Sequence, residues 1–79
     1  MDKEILYALV DKYVLALEYD TSNNLIYVGE ATPGSPQADA VWRIRKITYT
    51  GDNPTGIEWA GGTTEFNKVW DKRAEYDYS

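Results

Sequence analysis

The side chains that could carry chemistry in this chain are carboxylates and hydroxyls, because it holds no histidine and no cysteine. The commonest general base and the commonest soft nucleophile are therefore missing. Serine occurs only at Ser22, Ser35 and Ser79, none of them in the glycine-flanked pattern that strains and exposes a nucleophilic hydroxyl. Asp71 and Glu75 stand four residues apart, a spacing that would align two carboxylates on one helical face for acid–base work. On an exposed helix the same spacing is ordinarily a solvated acidic face. Zinc sites draw on cysteine and histidine, and no glycine-rich phosphate loop follows any strand pattern. The residues thus assign no catalytic, cofactor-binding or metal-ligating position. A chain of 79 residues also has little mass with which to wall off a substrate-sized pocket. The expectation is a binding or structural module, not an enzyme, with no cofactor.

What the chain does carry is an uneven charge pattern and many aromatics. Its formal charge is −5, which disfavours nucleic-acid backbones as partners. Residues 1–40 and 51–79 are acidic, whereas Arg43, Arg45 and Lys46 form one basic island with no acid between residues 41 and 50. That island is either a solvated strand face paired with nearby carboxylates or a patch that docks on an acidic surface of a neighbouring subunit. Aromatic residues make up 14% of the chain, a share that a small core needs because each ring buries much area. Trp42, Ile44, Trp59, Phe66 and Trp70 are the expected core. Tyr76 and Tyr78, close to the last residue, are interface candidates with the basic island, and Tyr19 and Tyr27 near strand ends are further ones. An alternative use of the tryptophans and tyrosines is as stacking platforms for sugar rings.

The elements that must position these groups are mostly strands. Ile5, Leu6, Leu9 and Val10 could form the stripe of a short helix over residues 3–12, capped by Asp2. Tyr13–Asp20 and Leu25–Glu30 are strand-like runs around the polar turn Thr21-Ser22-Asn23-Asn24. Two prolines and a glycine mark residues 31–39 as a loop. Val41–Thr50 is the longest strand candidate, and its apolar face switches between Ile44 and Ile47, which predicts a bulge or bend there. Gly51–Gly56 reads as a turn, Ile57–Ala60 as a short strand ended by Gly61-Gly62. Phe66, Val69, Trp70 and Arg73 fall at helical spacing and predict one or two helical turns over residues 65–73. Residues 74–79 alternate and predict a closing strand at a sheet edge. The fold class expected is mainly β: a small antiparallel sheet or partly open barrel of about five strands with one or two short helices. It forms a single domain over residues 1–79, with residues 1–12 as a helix or arm and residues 13–79 as the β-rich core. The start of the chain has no signal-peptide pattern, and no run is long and apolar enough to span a membrane, so no membrane partner is expected.

Several blocks together carry a resemblance. Tyr27-Val-Gly-Glu-Ala-Thr-Pro-Gly-Ser35, Ala40-Val-Trp-Arg-Ile-Arg-Lys-Ile47, Ile57-Glu-Trp-Ala60 and Phe66-Asn-Lys-Val-Trp-Asp-Lys-Arg73, with the final Tyr-Ser, occur in this order over about two thirds of the chain. In order and spacing they resemble a group of small, mostly uncharacterised proteins of tailed bacteriophages. The chain departs from that group's pattern at Gly61, Lys68 and Lys72. The resemblance implies an accessory virion component, made in the host cytoplasm: a capsid decoration protein or a tail or fibre attachment part. Its partners would be other virion structural proteins, and it would be present as a homo-oligomer or in many symmetric copies. The function expected on this basis is protein–protein contact within a phage particle. The alternative is a carbohydrate-binding module built on tryptophan and tyrosine platforms.

Overall fold

Asp20 makes the first hairpin. Its Oδ1 accepts the backbone N–H groups of Ser22 and Asn24 at 2.8 and 2.9 Å. Asn23 takes the positive φ of 65° that the tight reversal requires, a conformation asparagine tolerates. The strands it joins are β1 (Val14–Tyr19) and β2 (Leu25–Ala31) of a computed structural model that describes residues 13–79. The helix or arm expected over residues 1–12 lies outside the described residues. An eight-residue loop leads to β3 (Ala40–Thr50), the longest strand, and a two-residue turn leads to β4 (Asn53–Trp59). At that turn Gly51 has φ 63° while Asp52 does not enter the positive-φ region, the arrangement of a type II′ hairpin. The short β5 (Lys68–Val69) returns along the same β3 strand, opposite Ala40 and Trp42. A single 3-10 segment, Trp70–Glu75, follows among the described residues. The tail then lies along the end of β4, where Trp59 and Ser79 exchange N–H···O bonds at 2.9 and 3.1 Å. The result is an antiparallel sheet in the order β1-β2-β3-β4, with β5 off that path and the sheet not closed.

Register explains which residues share a face. Ala16 faces Gly29, Gly29 faces Ile44, Ile44 accepts the N–H of Ala60 at 2.8 Å, and Ala60 bridges Tyr78. This row of small residues with one isoleucine forms the floor of the packed face. Two indoles fill it. Trp42 is 1% exposed and Trp70 lies against it with ring centroids 6.1 Å apart. A Cβ at Gly29 would sit 2.5 Å from Cε3 of Trp70, so only glycine lets the ring come so close. Trp42 keeps its one polar atom satisfied by donating Nε1–H to the Pro36 carbonyl at 3.0 Å. Tyr27, Tyr76 and Tyr78 pack against the same cluster.

The open flank between β1 and the 3-10 segment is bridged by one side-chain contact. Arg73 Nε donates to Glu18 Oε1 at 2.6 Å across 55 residues of chain, and the same guanidinium lies 4.6 Å from the Trp70 ring.

Several expectations need correction. No bulge separates Ile44 from Ile47: β3 pairs without a shift with β2 over residues 43–46 and with β4 over residues 45–48, and its shifts fall at Ala40/Trp42 and Thr48/Tyr49. The apolar pattern switches because both faces of the sheet hold apolar residues, with Ile47 opposite Ile57 on the second face. β4 starts at Asn53, not Ile57. Pro54 is compatible with it because β4 is an edge strand and the missing N–H need not enter the ladder. The helical turns expected over residues 65–73 are shifted toward the chain end, to a 3-10 segment over Trp70–Glu75. Val69 pairs with β3 and the 3-10 segment begins only at Trp70, so Phe66 and Trp70 share no helical face: Phe66 lies against Arg43 on one side of the sheet and Trp70 against Trp42 on the other. The expected closing strand is reduced to the bridge at Tyr78 and the bonds beside it.

Candidate interaction surface

The second face of the sheet has no layer of the described chain across most of it. Two rows build its centre. Leu15 faces Glu30, which faces Arg43; Leu17 faces Val28, which faces Arg45, which faces Trp59. Glu30 is only 8% exposed, as is Val28 beside it on this face. Burial of a carboxylate is costly unless charge and hydrogen bonds compensate. Here Arg43 Nη2 donates to Oε2 at 3.2 Å and Arg45 Nη2 donates to Oε1, so one carboxylate bridges two guanidiniums.

Aromatic rings close around that triad. The guanidinium carbon of Arg43 lies 4.6 Å from the Phe66 ring centroid, 5.2 Å from Tyr13 and 5.8 Å from Trp59. Arg45 lies 5.3 Å from Trp59. Tyr13 and Phe66 stack on each other, centroids 5.3 Å apart. The cations face ring quadrupoles and share one anion, so among the described residues the cluster keeps one positive charge in excess. Arg43 Nε is buried without a hydrogen-bond partner among the described residues. Around the cluster stand exposed apolar side chains: Leu15, Leu17 at 48%, and Ile57 at 61%.

The basic island of the sequence is therefore divided. Arg43 and Arg45 point to the open face, whereas Lys46 faces Tyr27 and Glu58 in the alternate register and its Nζ lies 5.9 Å from the Tyr78 ring. Strand alternation dictates this split, because neighbours at 45 and 46 must project to opposite faces. Tyr76 and Tyr78, expected at an interface, turn inward. The Tyr76 hydroxyl accepts the Val69 N–H at 2.8 Å, and the Tyr78 hydroxyl donates to the Arg73 carbonyl at 2.6 Å. Burial, with the neighbouring Tyr27 and Tyr76 hydroxyls, holds the Tyr78 hydroxyl well above the usual tyrosine range. Of the further candidates, Tyr27 packs beside Tyr78 at 5.6 Å and Tyr19 is exposed.

The expected core is divided in the same way. Trp42, Ile44 and Trp70 are buried on the packed face, but Phe66 is 39% exposed and Trp59 is half-buried, both on the open face. Trp59 follows from its register opposite Arg45, and Phe66 from its place before β5. With Trp42 and Trp70 buried, a flat tryptophan platform for sugars has only Trp59 to draw on, and two guanidiniums already lie near that ring.

Sequence reasoning missed Glu30, Tyr13, Leu15, Leu17 and Ile57 as parts of this surface. A signal for two of them is present: Val14-Leu15-Ala16-Leu17 is apolar at every position, so whichever parity packs inward, the other is left outside. Comparison of the chain with protein-family models, with curated proteins and with solved structures finds no match.

Proposed function

We propose that the protein is a non-enzymatic accessory component that works by protein–protein contact through the open sheet face. One observation carries this reading: a cluster of Arg43, Arg45, Trp59, Phe66 and Tyr13 sits on the sheet face that the described residues leave open and is rimmed by the exposed Leu15, Leu17 and Ile57. Tryptophan, tyrosine and arginine are the residues that dominate binding energy at interfaces, and a central cluster with a surrounding rim is the usual arrangement of such hot spots. The one positive charge in excess among the described residues of the cluster favours a partner with a carboxylate at the matching position. Together with the sequence resemblance, this supports a role as a capsid decoration or tail attachment part of a bacteriophage particle.

Purified virions provide the test. Mass spectrometry is expected to find the protein in the particle at a fixed stoichiometry. Arg45→Ala and Phe66→Ala, each verified as folded by circular dichroism, are expected to reduce its occupancy at least tenfold. Absence from intact virions rules out the particle role, and full occupancy by both variants rules out this face as the contact.

A further inference from the structure

The two edges of the sheet differ in how they are protected. The β4 edge carries Pro54 and Gly56, has Glu58 near its end, and is covered at Trp59–Gly61 by backbone bonds from Asp77 and Ser79. Proline, glycine, charge and a covering segment are the devices that keep an edge from pairing with another chain. The β1 edge has only one of them, the charge of Glu18. Its sequence Val-Leu-Ala-Leu-Glu-Tyr holds no proline, glycine or lysine, and among the described residues nothing pairs with its outer side. Val14, Leu15, Leu17 and Tyr19 are all exposed. Its single charge, Glu18, is already neutralised by Arg73.

We propose that β1 pairs antiparallel with β1 of a second copy, across a two-fold axis at Leu17, and so joins two sheets into one. This contact uses the backbone edge of β1, and it shares Leu15 and Leu17 with the rim of the open face. Self-complementarity fits a second copy as the occupant. The strip is apolar apart from Glu18, which is paired with Arg73, so two copies of it meet without opposed unpaired charges although the chain carries −5 overall. Register selects the axis. Paired residues of an antiparallel ladder share a face, so the axis must coincide with a residue of the strand. An axis at Glu18 would set two carboxylates against each other. An axis at Ala16 would set Glu18 against exposed Val14 and pair Tyr19 with Tyr13, which is already stacked on Phe66. An axis at Leu17 sets Leu17 against its own copy and Leu15 against Tyr19 in both directions, and leaves Glu18 opposite the small Ala16. Three apolar cross-strand pairs then lie in one row. Six residues of strand form a small interface, so the dimer is reversible and concentration-dependent.

The absence of native cysteine makes the register directly measurable. Directly opposed residues of an antiparallel pair lie about 4.5–5.5 Å apart at Cα, within disulfide range. In the full-length protein under mild oxidation, Leu17→Cys is expected to give a nearly complete covalent dimer. Ile57→Cys, more exposed but on the other edge, is expected to cross-link at least tenfold more slowly. Sedimentation velocity is expected to show a monomer–dimer equilibrium in the parent protein. Leu17→Lys, which sets two ammonium groups together at the axis, is expected to shift that equilibrium at least tenfold toward monomer, while Ile57→Lys leaves it unchanged. A parent protein that stays monomeric at every concentration overturns the proposal. So does cross-linking at position 57 that equals that at position 17.

Discussion

Replacing Gly29 with alanine adds one methyl group at the tightest point of the fold. The new Cβ would lie 2.5 Å from Cε3 and 2.8 Å from Cζ3 of Trp70, and 3.1 Å from Cε3 of Trp42. Carbon atoms rest at about 3.5–4.0 Å, so Trp70 would have to retreat by about 1 Å. That retreat is opposed on two sides, since Trp42 is fully buried against it and Arg73 covers the ring. Overpacking of this kind costs about 1–3 kcal/mol, and two opposing rings put Gly29→Ala near about 3 kcal/mol. A domain of this length is expected to have about 4–12 kcal/mol in total, so the change removes a quarter or more of it. The melting temperature should fall by roughly 12–24 °C. Urea titration followed by tryptophan emission checks this, with the midpoint lowered and the slope unchanged. A second variant isolates the cause. Trp70→Leu alone is destabilising because it leaves a cavity, but it also removes the atoms that Cβ would strike. The double variant should therefore be more stable than the sum of the single effects by at least about 1 kcal/mol. A Gly29→Ala protein within about 0.5 kcal/mol of the parent, or strict additivity with Trp70→Leu, would refute the close-packing argument.

Three further outcomes follow from side-chain chemistry. Glu30→Gln removes the one anion shared by Arg43 and Arg45. It should cost about 1–3 kcal/mol in urea denaturation, with a Trp59 emission change in the folded state, and a neutral result would show that the triad is solvated. Arg73→Ala removes the bond to Glu18 and the cover on Trp70. About 1–2 kcal/mol is expected, with the gap to the parent narrowing as salt is added, and a salt-independent gap would assign the effect to packing alone. Because the folded Tyr78 hydroxyl is held above its unfolded value of about 10, its contribution to stability is complete below that pH and is lost as pH rises past it. Thermal melts from neutral to strongly alkaline pH should show the parent losing more stability above about pH 10 than Tyr78→Phe does. Parallel curves would refute the assignment.

The first hairpin was legible because local chemistry and tertiary structure agree there. Asp20 and Asn23 are turn residues in their own right, and strand formers flank them on both sides. The long strand at 40–50 was legible for the same reason. Where the reading failed, one pattern had two physical sources. Phe66, Val69, Trp70 and Arg73 have helical spacing, yet Val69 enters a ladder and the residues on either side of it serve different faces. Spacing records which positions are apolar, not which surface each one meets. Residues 51–56 read as a turn because proline and glycine disfavour interior strands, and position at a sheet edge is not written locally. Arg43, Arg45 and Lys46 looked like one patch because sequence proximity ignores alternation. The partner that matters most to the two arginines, Glu30, lies 13 and 15 residues away and emerges only with the β2–β3 register.

The row Ala16, Gly29, Ile44, Ala60 supplies a floor, but the larger part of what fills it comes from residues 70–78. The chain thus divides at Gly61-Gly62, an exposed joint with positive φ at both residues, into a sheet that is a socket and a segment that is its plug. Covalent continuity contributes only the effective concentration of one for the other, in the millimolar range for a short link. Two separate peptides meeting at this joint would have to recover that concentration by binding alone. Trp70, Tyr76 and Tyr78 would supply the affinity, and restored burial of Trp70 would report reassembly. What looks in the intact chain like a core is, in that light, a recognition event that the chain performs on itself.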